Sequence, residues 1–127
     1  MSAPLTTLLY VDDDADIREI VEMSLGLDGS MRVSTSSGGE EALAFMRSSR
    51  PDLVVLDFMM PGMDGPAIVA RMRDDPQLRD IPVIFMTAKA GPQDTARFRD
   101  LSAIGVIPKP FDPMALGGQV RALWEAR

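Results

Sequence analysis

Four short apolar runs in this chain each end on a residue that could do chemistry. Asp57 closes Leu53-Val54-Val55-Leu56, and the triplet Asp12-Asp13-Asp14 closes Leu8-Leu9-Tyr10-Val11. Thr87 closes Val83-Ile84-Phe85-Met86, and Lys109 follows Gly105-Val106-Ile107-Pro108. If these runs are neighbouring parallel strands, their C-terminal ends share one edge of a sheet, where ligands bind in such folds. Carboxylates, a hydroxyl and an amine gathered there have the chemistry of a divalent cation and a phosphoryl group. A carboxylate can attack phosphorus and form an acyl phosphate. Crowded carboxylates repel one another, which raises at least one pKa unless a cation offsets the charge. Mg2+ suits such a site, because it takes hard oxygen ligands and keeps several waters. Lys109 is one of only two lysines against eleven arginines. Its compact ammonium fits a phosphate oxygen in a small pocket.

Each residue also has a plainer reading. A strand-end aspartate often caps the next turn. An acidic triplet is favoured at a helix N-terminus, and Asp14 is expected to be a cap and not a ligand. A threonine ending a strand is ordinary, and a loop lysine is commonly solvated. What favours chemistry is the convergence of all of them.

The elements that would position these residues alternate between apolar runs and helix-period segments, which predicts βαβ units and a parallel sheet. Strands are predicted over about Leu5–Val11, Met31–Thr35, Leu53–Leu56, Pro82–Met86 and Gly105–Ile107. A first helix is predicted over Ala15–Leu27 with Ile17, Ile20, Val21, Ser24 and Leu25 inward, and a second over Glu40–Arg47 with Ala42, Leu43 and Met46 inward. Asp64 is predicted to cap a third helix that has Pro66 in its first turn and buries Ile68, Val69 and Met72. A fourth, weakly periodic helix is predicted over Pro92–Leu101. Asp112-Pro113 should open a fifth that runs to about Glu125, with Leu116, Val120 and Leu123 inward.

A chain of 127 residues is read as one domain, 1–127, without a separate output domain. With no cysteine and no histidine, disulfides, thiolate or imidazole metal sites and a Ser-His-Asp triad are excluded. A net charge of −6 argues against nucleic-acid binding. No apolar run approaches the roughly 20 residues of a membrane span, and the first residues lack the pattern of a signal peptide. No membrane association is expected, and a cytoplasmic location is.

Together, Val11-Asp12-Asp13, Leu56-Asp57 with Met60-Pro61-Gly62-Met63-Asp64-Gly65, Met86-Thr87-Ala88 and Lys109-Pro110-Phe111 resemble the response-regulator receiver domains of two-component signalling. In length the chain is similar to the single-domain, chemotaxis-regulator type. The resemblance implies a flavodoxin-like α/β three-layer sandwich, with a five-stranded parallel sheet of order 2-1-3-4-5 and five helices. It implies Asp57 as phosphoacceptor, assisted by Lys109 and Thr87. It implies Mg2+ held by Asp13, Asp57 and the Met59 backbone carbonyl, with Asp12 acting mainly through water, and a cis Lys109-Pro110 bond. The implied donor is a sensor histidine kinase or a histidine phosphotransfer protein. The implied output is a protein contact through the fourth helix, fifth strand and fifth helix.

One departure stands out. Such domains usually carry an aromatic residue three positions before the lysine, and here Val106 stands there, so a rotating ring cannot relay the signal. Two other functions fit less well. A haloacid-dehalogenase-type phosphatase needs an acid two residues after its nucleophile, where this chain has Met59. A flavodoxin-like cofactor binder needs a glycine-rich loop where Asp12-Asp13-Asp14 stands.

Overall fold

In a computed structural model of the protein, covering residues 4–27, 29–88 and 100–127, the apolar runs form a single parallel sheet. The strands are β1 (Thr7–Val11), β2 (Arg32–Ser36), β3 (Leu53–Asp57), β4 (Val83–Thr87) and β5 (Gly105–Pro108), in the order β2-β1-β3-β4-β5. The helices are α1 (Ala15–Leu25), α2 (Gly39–Ser49), α3 (Gly65–Asp74) and α4 (Leu116–Ala126). This is the flavodoxin-like α/β fold. The helix predicted over 92–101 falls almost wholly on residues 89–99, which lie outside the described residues.

Strand alternation divides the core in two. Leu9, Val11, Val54, Leu56, Val83 and Phe85 face α2 and α3, where they meet Leu43, Met46, Ile68 and Met72. Leu8, Tyr10, Leu53, Val55, Ile84, Met86 and Ile107 face the other way, toward Val21 and Leu25 of α1 and Val120 and Trp124 of α4. Every residue of β3 and β4 is buried. That is why these runs read as continuous and not alternating: a central parallel strand is covered on both faces.

Local chemistry sets the helix ends. Asp14 accepts from the N–H groups of Asp16 and Ile17 and so caps α1; Asp64 accepts from Ala67 N–H at 3.0 Å and caps α3, with Pro66 in its first turn. Three expectations need correction. α1 ends at Leu25, with Gly26 as its C-cap, two residues before the predicted end. Ile20 is 44% exposed, because α1 rests on Val21, Ser24 and Leu25 and carries Ile20 at the flank. The last helix begins at Leu116 and not at Pro113. The Asp112 carboxylate accepts Met114 N–H, and its carbonyl accepts Ala115 N–H, so a tight turn precedes the helix.

At the opposite end of the sheet from the strand C-termini, Asp52 ties β1 to the start of β3. One of its oxygens accepts from Thr6 N–H at 3.1 Å, Thr6 Oγ1 at 2.8 Å and Thr7 N–H at 3.0 Å. Burial pushes this carboxyl up, but the hydrogen bonds outweigh it and hold the carboxyl below the usual range. A depressed folded-state pKa contributes stability above the unfolded value of about 4 and loses it as pH falls through the folded value. Asp52→Ala should therefore cost about 1 kcal/mol at pH 7, scaled to a partly exposed hydrogen-bond cluster. The cost should shrink on acidification. Urea denaturation of both proteins from pH 7 to pH 3 measures this, and a pH-independent difference would contradict it.

Candidate functional site

The three central strands and β5 each deliver one part of the site, and the ladder continues past their ends to fix the backbone there. Asp12 N–H donates to Ser36 O at 3.1 Å, Phe58 N–H to Met86 O at 2.9 Å, and Lys109 N–H to Thr87 O at 2.8 Å. Each functional residue is thus pinned by the neighbouring strand.

Carboxylate oxygens of Asp12, Asp13 and Asp57 lie within 4.8 Å of one another. Asp12 is 1% exposed and Asp57 7%, while Asp13 faces solvent. Lys109 reaches across both buried acids, with Nζ 3.1 Å from Asp12 Oδ2 and 3.4 Å from Asp57 Oδ1. The Lys109-Pro110 bond is cis. Thr87 ends β4, 2% exposed, one residue beyond the partner of Asp57 in the ladder. Met59 is 63% exposed, and its N–H lies 3.4 Å from Asp57 Oδ1. The Asp14 carboxylate is turned to its own helix.

Two features of the site were not anticipated from sequence. The first is Tyr10. Its hydroxyl donates to Asp12 Oδ2 at 2.6 Å. A Tyr-x-Asp spacing along one strand is the available signal, since residues two apart point to the same face. The second is the burial of Asp57. A carboxylate that attacks phosphorus must be reached by its donor, yet the Asp57 side chain is only 10% exposed, with Lys109 ion-paired to it.

The electrostatics separate the two buried acids. Burial pushes the Asp12 carboxyl up, but donation from Tyr10 and Asp14 N–H, together with the Lys109 ammonium, brings it below the usual range. Burial and the neighbouring Asp12 charge push Asp57 up, and Lys109 only partly offsets this. Burial, then its bond to Asp12, keeps the Tyr10 hydroxyl far above its ordinary value, so it is a neutral donor. Asp12 is thus fully engaged: Oδ1 accepts Asp14 N–H at 3.0 Å, and Oδ2 accepts both Tyr10 and Lys109. Asp13 and Asp57 are the carboxylates left to offer an oxygen outward. Such an all-oxygen set fits a hard cation such as Mg2+.

Close packing fixes the loop after Asp57. A Cβ at Gly65 would lie 2.9 Å from the Asp57 carbonyl oxygen, 2.9 Å from Phe85 Cε1 and 3.1 Å from Phe58 Cα. Gly62 has φ +75°, a turn conformation that favours glycine. The start of α3 is therefore pressed directly onto the backbone of Asp57.

The comparisons with known proteins agree with this geometry. The family model described as "Response regulator receiver domain" matches residues 8–121, and the chain belongs to that family. A protein named "Probable transcriptional regulator ycf27" from Guillardia theta is 40% identical over 116 residues, covering 91% of this chain and 44% of that protein. The transcriptional regulatory protein AfsQ1 of Streptomyces coelicolor is 37% identical over 119 residues, covering 94% of this chain and 51% of that protein. The chain thus spans about half the length of these curated relatives. Among solved structures, the Vibrio cholerae chemotaxis protein CheY4 superposes with a TM-score of 0.85 at 30% identity, covering 94% of this chain and 99% of that one. The signal receiver domain of a signal transduction histidine kinase from Syntrophus aciditrophicus superposes with a TM-score of 0.79 at 31% identity, covering 95% and 91%. Among the described residues no helix is long and apolar enough to cross a membrane.

The contact at Gly65 sets up a paired test. Gly65→Ala should destabilise by about 1–3 kcal/mol, because backbone atoms must yield, and it should shift the amide resonances of Asp57 to Met59. Gly118→Ala, on an exposed turn of α4 with nothing within 4 Å, should stabilise by up to about 1 kcal/mol. Denaturation and amide spectra of both variants check the pair, and equal effects would contradict the close approach.

Proposed function

We propose that this receiver domain is a phosphorylatable switch that takes a phosphoryl group on Asp57. The observation that carries the reading is the span of Lys109 across Asp12 and Asp57, with Asp13 alongside. An Asp57 oxygen forms the new bond to phosphorus, and the phosphorus–nitrogen bond to a donor phosphohistidine breaks. Its electron pair stays on the imidazole nitrogen, and Asp57 becomes an acyl phosphate. Lys109, with Nζ already 3.4 Å from Asp57 Oδ1, is placed to donate to the incoming oxygens. Thr87 is the hydroxyl donor at the same edge. Met59, exposed two residues past Asp57, is an apolar neighbour that hinders water from reaching the acyl phosphate.

Asp13, Asp57 and the Met59 carbonyl would hold Mg2+, with Asp12 acting through a bound water. The ion supplies neutralising charge to a phosphoryl oxygen. The domain is a phosphoacceptor and not a turnover enzyme. Its donor is a histidine kinase or a histidine phosphotransfer protein in the cytoplasm, and its output is a protein contact on the surface carrying β5 and α4 together with the segment before β5. Val106 lies opposite Phe85 in the ladder and packs against the α2–α3 core. With no ring there to turn, the output does not pass through an aromatic flip at this position.

Incubation with phosphoramidate and Mg2+ should raise the intact mass by one phosphoryl group. Asp57→Asn should remove the increase, and equal labelling of that variant would overturn the assignment. In calorimetric titration, Asp13→Asn should weaken Mg2+ binding by about tenfold, one ligand's share at a partly hydrated site. Asp14→Asn should stay within about twofold of wild type. Equal losses would place the ligand one position off.

A further inference from the structure

Every part of the pocket described so far reaches the reacting group from the strand ends, but Tyr10 acts from inside the sheet. It is fully buried, on the same face of β1 as Asp12, and packed with the α1–α4 core. A tyrosine in that core would be replaceable by leucine or phenylalanine if packing were its whole role. Its hydroxyl instead shares one carboxylate oxygen with Lys109: Tyr10 OH is 2.6 Å and Lys109 Nζ 3.1 Å from Asp12 Oδ2.

This sharing has a consequence for the phosphorylation proposed above, on which the inference rests. Lys109 has two carboxylates to serve. To follow the charge of a phosphoryl group on Asp57, it must loosen its hold on Asp12. Asp12 is 1% exposed, so bulk water, as distinct from a water held on the cation, does not readily replace the lost donor. A buried carboxylate oxygen stripped of its partner is strongly penalised. We propose that Tyr10 is a positioning residue that keeps Asp12 satisfied when Lys109 turns from it to the phosphoryl group on Asp57. The hydroxyl also withdraws charge from Oδ2 beforehand, which weakens the hold of Asp12 on the amine. Tyr10 touches neither phosphorus nor the donor. It acts through Asp12.

Acetyl phosphate is a convenient donor for the test. An Asp57 oxygen bonds to phosphorus while the phosphorus–oxygen bond to the acetyl group breaks, and acetate leaves with the electron pair. At saturating Mg2+, Tyr10→Phe keeps the ring and should slow labelling about fivefold, the share of one hydrogen bond of ordinary net strength. In Asp12→Asn protein, where there is no carboxylate to satisfy, adding Tyr10→Phe should change the rate by less than about twofold, so the two changes are coupled. A fivefold loss that persists in the Asp12→Asn background would reduce Tyr10 to packing and overturn the inference.

A second measurement needs no substitution. Tyr10 is the only tyrosine in the chain, so [13Cζ]tyrosine labelling gives one signal. Loading wild-type protein with Mg2+ and beryllofluoride should move that signal downfield, as the hydroxyl becomes the main side-chain donor to Asp12. An unmoved signal in protein shown by mass to accept a phosphoryl group overturns this inference alone. Protein that takes no phosphoryl group overturns the switch reading and this inference with it.

Discussion

Two buried carboxylates, Asp12 and Asp57, share one amine, and the rest of the site follows from that constraint. Without Lys109, Asp57 would keep only a long contact from Met59 N–H and Asp12 would rest on Tyr10 and Asp14 N–H, with neither charge balanced by a cation. Breaking a buried ion pair in this way typically costs about 3–5 kcal/mol. The three strand ends must therefore be held in register to within hydrogen-bonding tolerance. The backbone does this with ladder bonds that run on past the strands, at Asp12, Phe58 and Lys109. Gly65 adds a second restraint by letting α3 press on the Asp57 carbonyl oxygen.

The two acids have different roles because their surroundings differ. Asp12 accepts from three protein donors and stays below the usual carboxylate range. It is a fixed negative charge with little left to offer. Asp57, raised by burial and by the Asp12 charge, is held by Lys109 and by a long contact from Met59 N–H. A group held so lightly can exchange its partners for a phosphoryl group and a cation. The carboxyl held above its usual range is therefore the one where chemistry is proposed.

Much of this was legible beforehand. Continuous apolar runs ending in polar residues mark buried parallel strands, and β3 ending at Asp57 and β4 ending at Thr87 follow that pattern. The caps at Asp14 and Asp64 were legible from short-range hydrogen bonding alone. What was not legible depended on third dimensions of packing. Tyr10 sits in an apolar run and reads as a strand-forming aromatic until Asp12 is seen beside it. Ile20 fits the helical period of α1, but the width of the contact with the sheet leaves it at the rim. Trp124 closes the same core as Val120 by its i, i+4 spacing, beside the expected Leu123, which packs against it partly buried. At Asp112 a side-chain bond to Met114 N–H competed with the helix and delayed its start.

The central claim is that the phosphoryl group resides on Asp57 and on no other acid of the cluster. Borohydride reduces an acyl phosphate to the alcohol, so an aspartyl phosphate becomes homoserine and is marked in place. Protein phosphorylated with phosphoramidate and Mg2+, reduced and then mapped by peptide mass spectrometry should carry homoserine at position 57, with Asp12, Asp13 and Asp14 intact. Homoserine at any of those three positions, or none at 57 in protein that has gained the phosphoryl mass, would contradict the account.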